Sequence, residues 1–357
     1  MREGWAPLLG VVLLMALALP AQAGDLDKLH INGYTSLEFE KQLEPAEEGG
    51  GDPNGSLDAD LFDLVFNFYA SDKIRVAADL TWEHGAATED NRGNVALEYG
   101  FIEYTVSDLL KVRAGKMFIP FGIYNEIHTA KPAFLSVKEP ASTNKTERIV
   151  EDGFRFYPRW GAGLALHGDG VLRQRNFNYD LFLSNGEQGN TNPFEQDDNG
   201  AKAVTGRFRF ELTESLHLGN SFYYDKYASG GELDRLVSDG VELQYTRNDF
   251  RLWAEVAMGW RKGEAGETVR QVGFYIQPSY TFANGVSPYF RFERVDPDLR
   301  RADDHGYDVI VGVNWEISRG FGLKLENNFF KGASDSSLAA YPGASYNEIK
   351  AAVVLGF

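Results

Sequence analysis

The chain has 357 residues, 35 of them Lys or Arg against 52 Asp or Glu, and no cysteine. A net charge of −17 argues against nucleic acid as a partner, and the missing thiols exclude disulfides, thiolate metal sites and a cysteine nucleophile. Mean hydropathy below zero excludes a bundle of membrane helices but not a transmembrane barrel, whose strands alternate; 13% aromatics and 38 glycines suit that class.

In chain order, Arg2 precedes an apolar run over residues 8–19, and "PAQA" ends at Ala23. A charged start, a short apolar core and a small-x-small site predict a cleaved secretory signal over residues 1–23, with 24–357 as the mature barrel. An apolar core of about a dozen residues is shorter than the ~20 that a membrane-spanning helix needs. No cysteine follows it, so no lipoprotein anchor is expected.

Strand patterning begins soon afterwards. Ile74, Val76, Ala78, Leu80 and Trp82 alternate with Arg75, Ala77, Asp79, Thr81 and Glu83. Phe250 to Trp260 and Val309 to Ile317 repeat the pattern, each over about ten residues, the span of a tilted strand in a bilayer. Short turns are predicted at Ser71, Ser107, Thr213, Arg247, Ala283 and Ser318. Longer polar stretches fall at 41–56, 85–94, 185–200, 228–237, 262–268, 296–305 and 332–344. Short turns on one side and long loops on the other predict an all-β, antiparallel transmembrane barrel of about sixteen strands. Trp82 and Trp260 at one rim, with Trp315, Phe210, Phe282 and Phe357 at the other, would form the two interfacial girdles. The last eleven residues, "NEIKAAVVLGF", put Ile349, Ala351, Val353, Leu355 and Phe357 on one face and close the barrel beside strand 29–39.

One connection, residues 120–150, is much longer than the rest. A loop of that length without its own fold is usually functional. Folded inward, its Glu126, His128, Lys131, Lys138, Glu139, Lys145 and Arg148 would narrow the lumen and set which ions pass.

The run "KVRAGKMFIPFGIYNE", residues 111–126, resembles the phosphate-selective porin O and P family, where a Gly-Lys/Gln-aromatic-x-Pro-Phe-Gly stretch leads into a loop folded back into the pore. With the signal, the strands and the terminal aromatic, the chain resembles bacterial outer-membrane porins in general. That resemblance implies a water-filled channel for small solutes or anions, a homotrimer, and Phe357 as an assembly signal. The lysine cluster used by the O and P family for phosphate is not recognisable here.

Inward positions hold Arg75, Arg113, Lys116, Arg207, Arg209, Arg251, Arg291 and Lys324 as candidate pore-lining and selectivity residues. Placed by height, Arg75, Arg113, Arg207, Arg209, Arg251 and Lys324 gather toward the short-turn half of the lumen, predicting a weakly anion-preferring channel. Wall carboxylates, Glu211, Glu255 and Glu326 among them, are expected to pair with many of these cations across strands. No cofactor is expected, and outer-membrane lipid and lipopolysaccharide are the expected surroundings. Glu44, Glu47, Glu48, Asp52, Asp58 and Asp60 crowd the first hairpin and could hold divalent cations bridging to lipopolysaccharide; a solvated acidic surface is the simpler reading. Two other functions remain open: a sleeve around a periplasmic partner protein, and a barrel-wall hydrolase using some of the six histidines, none of which has a telling spacing.

Overall fold

The computed structural model describes residues 26–43, 53–84, 95–144, 146, 149–150, 155–186, 194–197, 199–229, 232–262, 266–334 and 343–357. The expected signal, residues 1–23, lies outside this set, as do Glu44, Glu47, Glu48, Asp52, Lys145 and Arg148.

Sixteen antiparallel strands close into one barrel, each paired with its sequence neighbours and the last paired with the first. They are β1 (Leu29–Gln42), β2 (Ser56–Ser71), β3 (Ile74–Glu83), β4 (Val95–Ser107), β5 (Leu110–Phe118), β6 (Trp160–Leu172), β7 (Arg175–Ser184) and β8 (Ala203–Thr213). The second half comprises β9 (Leu216–Ser229), β10 (Glu232–Arg247), β11 (Phe250–Lys262), β12 (Thr268–Tyr280), β13 (Val286–Asp296), β14 (Gly306–Ser318), β15 (Phe321–Lys331) and β16 (Ser345–Gly356). Closure leaves no unpaired edge, the condition for putting a sheet in hydrocarbon. Among the described residues no helix is long and apolar enough to cross a membrane, which says nothing about crossing by strands.

The alternation decides which face turns outward. On β16, Val353 and Leu355 are 40% and 38% exposed, whereas Glu348, Lys350, Ala352 and Val354 on the opposite face are buried. Val311, Ile102 and Leu164 likewise lie on the outside. A soluble protein hides its apolar face; this barrel shows it and hides the charged one. At the seam, the Phe357 and Gly33 backbones exchange hydrogen bonds of 2.8 and 3.0 Å, and the exposed Phe357 ring lies 6.3 Å from that of Phe62.

Two details differ from the sequence reading. The stretch 228–237 is not a long loop: β9 and β10 run to Ser229 and from Glu232, with Ala228 paired to Leu233 and Asp225 to Leu236. A further two-residue turn joins β6 to β7 through Arg173 and Gln174, both in the left-handed region at φ 51° and 64°. That conformation matches the twist of a tight hairpin, although neither residue is a usual turn former.

Candidate functional site in the lumen

Between β5 and β6 the chain turns into the barrel, and residues 119–144 and 155–159 pack against its inner wall. The turn is made by Pro120, Phe121 and Gly122. Phe121 is fully buried, stacked on Tyr157 at 4.3 Å between ring centres. Gly122 sits at φ 63°, and a Cβ there would fall 2.2 Å from a Glu255 carboxylate oxygen, so no side chain can replace its hydrogen. Tyr124 follows, packed edge-on against Phe134, Trp253 and Tyr275.

The wall holds this segment by its backbone. Carboxylates accept its N–H groups: Glu255 from Ile123 at 3.1 Å, Glu326 from Val137 at 2.9 Å and Glu293 from Ser142 at 2.9 Å. Cations donate to its carbonyls: Arg209 to Gly122 at 2.9 Å and Arg291 to Lys138 at 3.2 Å. Lys324 donates to the carbonyls of Lys131, Phe134 and Ser136 at 2.5, 2.6 and 2.9 Å. An irregular segment has no ladder of its own, so these wall groups supply the partners its buried amides need.

Close approach needs small wall residues too. A Cβ on Gly273 would stand 1.9 Å from the Ser142 carbonyl oxygen. Gly273→Val is therefore expected to force the segment off β12, and limited trypsin digestion of folded, heat-modifiable protein should cut it faster. Unchanged digestion would show that the wall yields instead.

The structure divides the candidate cations. Arg207, Arg291 and Lys324 are buried, at 6%, 0% and 3% exposure. Arg291 pairs with Glu293 at 2.6 Å, and Arg207 with Glu126 and Asp180 at 2.5 and 2.8 Å. Arg209 pairs with Glu242. Arg75 and Arg113 share Glu103, at 3.1 and 2.6 Å, and both lie over the Phe101 ring. His167 reaches the same carboxylate at 3.0 Å. The side chains of Arg75, Arg113 and Arg209 remain about a quarter exposed, and that of Glu126 35%. Arg251 is exposed at the start of β11. Lys116, off the Arg113 face by strand parity, rests over the Trp160 and Phe194 rings.

At the far side the segment is latched to β1 and β2. Lys131 lies 3.1 Å from Glu38 and 3.4 Å from Asp60, while Lys138 pairs with Glu38 and, at 3.0 Å, with Asp60. Burial works against the Lys131 ammonium, yet the carboxylates of Glu38, Asp60 and Glu139 together outweigh it and raise its pKa. Arg159 pairs with Glu139 at 3.1 Å.

No family model matches the chain. An uncharacterized protein of Aquifex aeolicus (strain VF5) is 25% identical over 208 residues, which is 54% of this chain and 43% of that protein. The chain thus spans less than half the length of the curated relative it matches. Among solved structures, the barrel is similar to an anion-selective porin from Comamonas acidovorans, with a TM-score of 0.67 at 11% identity over 92% of this chain and 99% of that one. OmpF of Salmonella typhi, in complex with daunomycin, gives 0.63 at 13%, and the outer membrane channel DcaP of Acinetobacter baumannii 0.62 at 11%. Both cover 92% of this chain and 97% of their own. At such identities the likeness is one of fold.

His128 gives the docking of the segment a pH dependence. Its Nδ1–H donates to the Asn125 carbonyl at 2.9 Å, its Nε2 stands 3.5 Å from Glu98, and Phe118 and Trp160 pack on its ring. Burial, with Arg159 nearby, holds its pKa below the ordinary value in spite of Glu98. The docked segment therefore binds a proton less readily than an undocked one, whose imidazole titrates near ~6.5. Docking is complete above that value and weakens as pH falls through it toward the lowered one. Single-channel records should show more opening events as pH drops below about 6.5, and His128→Phe should flatten that dependence. An identical profile in the variant would assign the proton elsewhere.

Proposed function

We propose that the protein is an outer-membrane porin, a water-filled channel for passive diffusion of small hydrophilic solutes with a weak preference for anions. The inward segment acts as its constriction. One observation carries the reading. The segment buries the wall acids Glu255, Glu293 and Glu326 while leaving Arg75, Arg113 and Arg209 partly exposed. Beside the constriction these arginines meet water together with Glu126, a carboxylate of the segment itself that pairs with Arg207.

A segment that crosses the lumen favours small solutes over a partner protein threaded through the barrel. The likeness to an anion-selective porin agrees with the sign of the charge, and the resemblance of residues 111–126 to the O and P family makes phosphate-like anions the class to try first. Catalysis is no part of this reading. Purified protein in a planar bilayer under a potassium chloride gradient tests it. The expected reversal potential favours chloride, more so at low ionic strength. No conductance, or a potential favouring potassium at low salt, would overturn it.

A further inference from the structure

A second cluster of charged side chains lies at the long-loop end of β2 and β3, apart from the lumen arginines. Asp58 and Asp60 stand near the start of β2, and His84 follows the end of β3. The His84 N–H donates to the Asp60 carbonyl at 3.1 Å, which fixes the histidine beside that strand. Its Nδ1 lies 2.7 Å from an Asp58 carboxylate oxygen, and one ligand atom from each of the three residues falls within 4.8 Å of the others. Ligands about 2.0–2.2 Å from a shared ion stand roughly 3–4 Å apart, so small side-chain adjustments close the set.

One neighbouring feature points the same way. A polar cavity of about 220 Å³ opens against the cluster, with Asp60, Glu83 and His84 on its lining. It has room for an ion and its waters. An ion there competes with two cations, since the Lys131 and Lys138 ammonium groups already lie at Asp60. Both lysines hold Glu38 as well, so they keep a buried partner when Asp60 turns to another cation.

We propose that Asp58, Asp60 and His84 bind a divalent transition cation of the zinc class. The imidazole sets the class, because calcium and magnesium take oxygen ligands while zinc takes nitrogen and carboxylate together. Binding removes Asp60 from the two lysines, so an occupied site leaves the inward segment tied to β1 and β2 through Glu38. The lysines compete with the metal, and occupancy is linked to how firmly that segment is held.

Calorimetric titration of zinc into the full chain, folded in detergent, tests the site, with calcium as the comparison cation. One zinc per chain is expected, bound more tightly than calcium. His84→Gln and Asp58→Asn should each weaken zinc at least about tenfold, and Lys138→Met, which removes a competitor, should tighten it. Heat-modifiable migration shows that each variant has folded. Absence of zinc binding, binding that survives His84→Gln, or calcium binding as tight as zinc would overturn the proposal, the last two marking a diffuse acidic surface.

Discussion

Lys324→Met should widen the channel more than it changes its charge preference. The Lys324 ammonium is buried, lies 4.5 Å from the centre of the Phe134 ring, and donates to three carbonyls within residues 131–136. Methionine fills much of the same space but donates nothing. A buried carbonyl that loses its donor costs about 1–3 kcal/mol, and three such losses shift the balance of docked and free segment by roughly a hundredfold or more. Those carbonyls recover partners only by leaving the wall for water. Single-channel conductance should therefore rise, with frequent transitions between two levels, and trypsin should reach the Lys138–Glu139 bond; Lys131, followed by Pro132, stays resistant. The selectivity ratio should barely move, because Lys324 is shielded from the solute path. A variant with lower thermal stability but unchanged conductance would make Lys324 a brace of the wall and not a fastening of the constriction.

The strands were legible because a bilayer enforces the alternation residue by residue. The faces read for β3, β11, β14 and β16 are the faces found, down to Glu348 and Lys350 inside with Val353 and Leu355 outside. The pattern failed where that constraint lapses. Gly230, Gly231, Glu232 and Asp234 carry no apolar alternation, so this stretch reads as a loop although the ladder runs to Ser229 and resumes at Glu232. Arg173 and Gln174 carry no turn chemistry, and the pairing of β6 with β7 on either side imposes their positive φ.

The site was less legible for a different reason. Inward polarity along a strand marks a lumen residue, but not whether it faces solute or a returning segment. Arg291 and Arg75 look alike in sequence; one is sealed beneath residue 138 and the other borders water. What separates them is contact between positions 153 residues apart, as from Arg291 to Lys138, and periodicity carries no such information. His84 was passed over similarly, since its partner Asp58 lies 26 positions away on the preceding strand.

Arg75→Gln combined with Arg113→Gln should turn the channel toward cations. The two guanidinium groups and Glu103 together carry net +1; removing both arginines leaves −1, a swing of two charges at one point on the wall. Their partial exposure lets a passing ion feel that change, unlike a substitution at fully buried Arg291. Screening sets how far it is felt. The Debye length is ~30 Å at 0.01 M salt, ~10 Å at 0.1 M and ~3 Å at 1 M. The reversal potential should therefore shift most at 0.01 M and approach wild type at 1 M. Lysine at both positions keeps the charge but gives up the guanidinium hydrogen bonds to Glu103 Oε2 and the packing over Phe101, so it should preserve most of the wild-type preference. If the glutamine pair leaves the low-salt potential where it was, the exposed arginines of β3 and β5 do not set selectivity, and Arg209 facing Glu126 becomes the residue to change next.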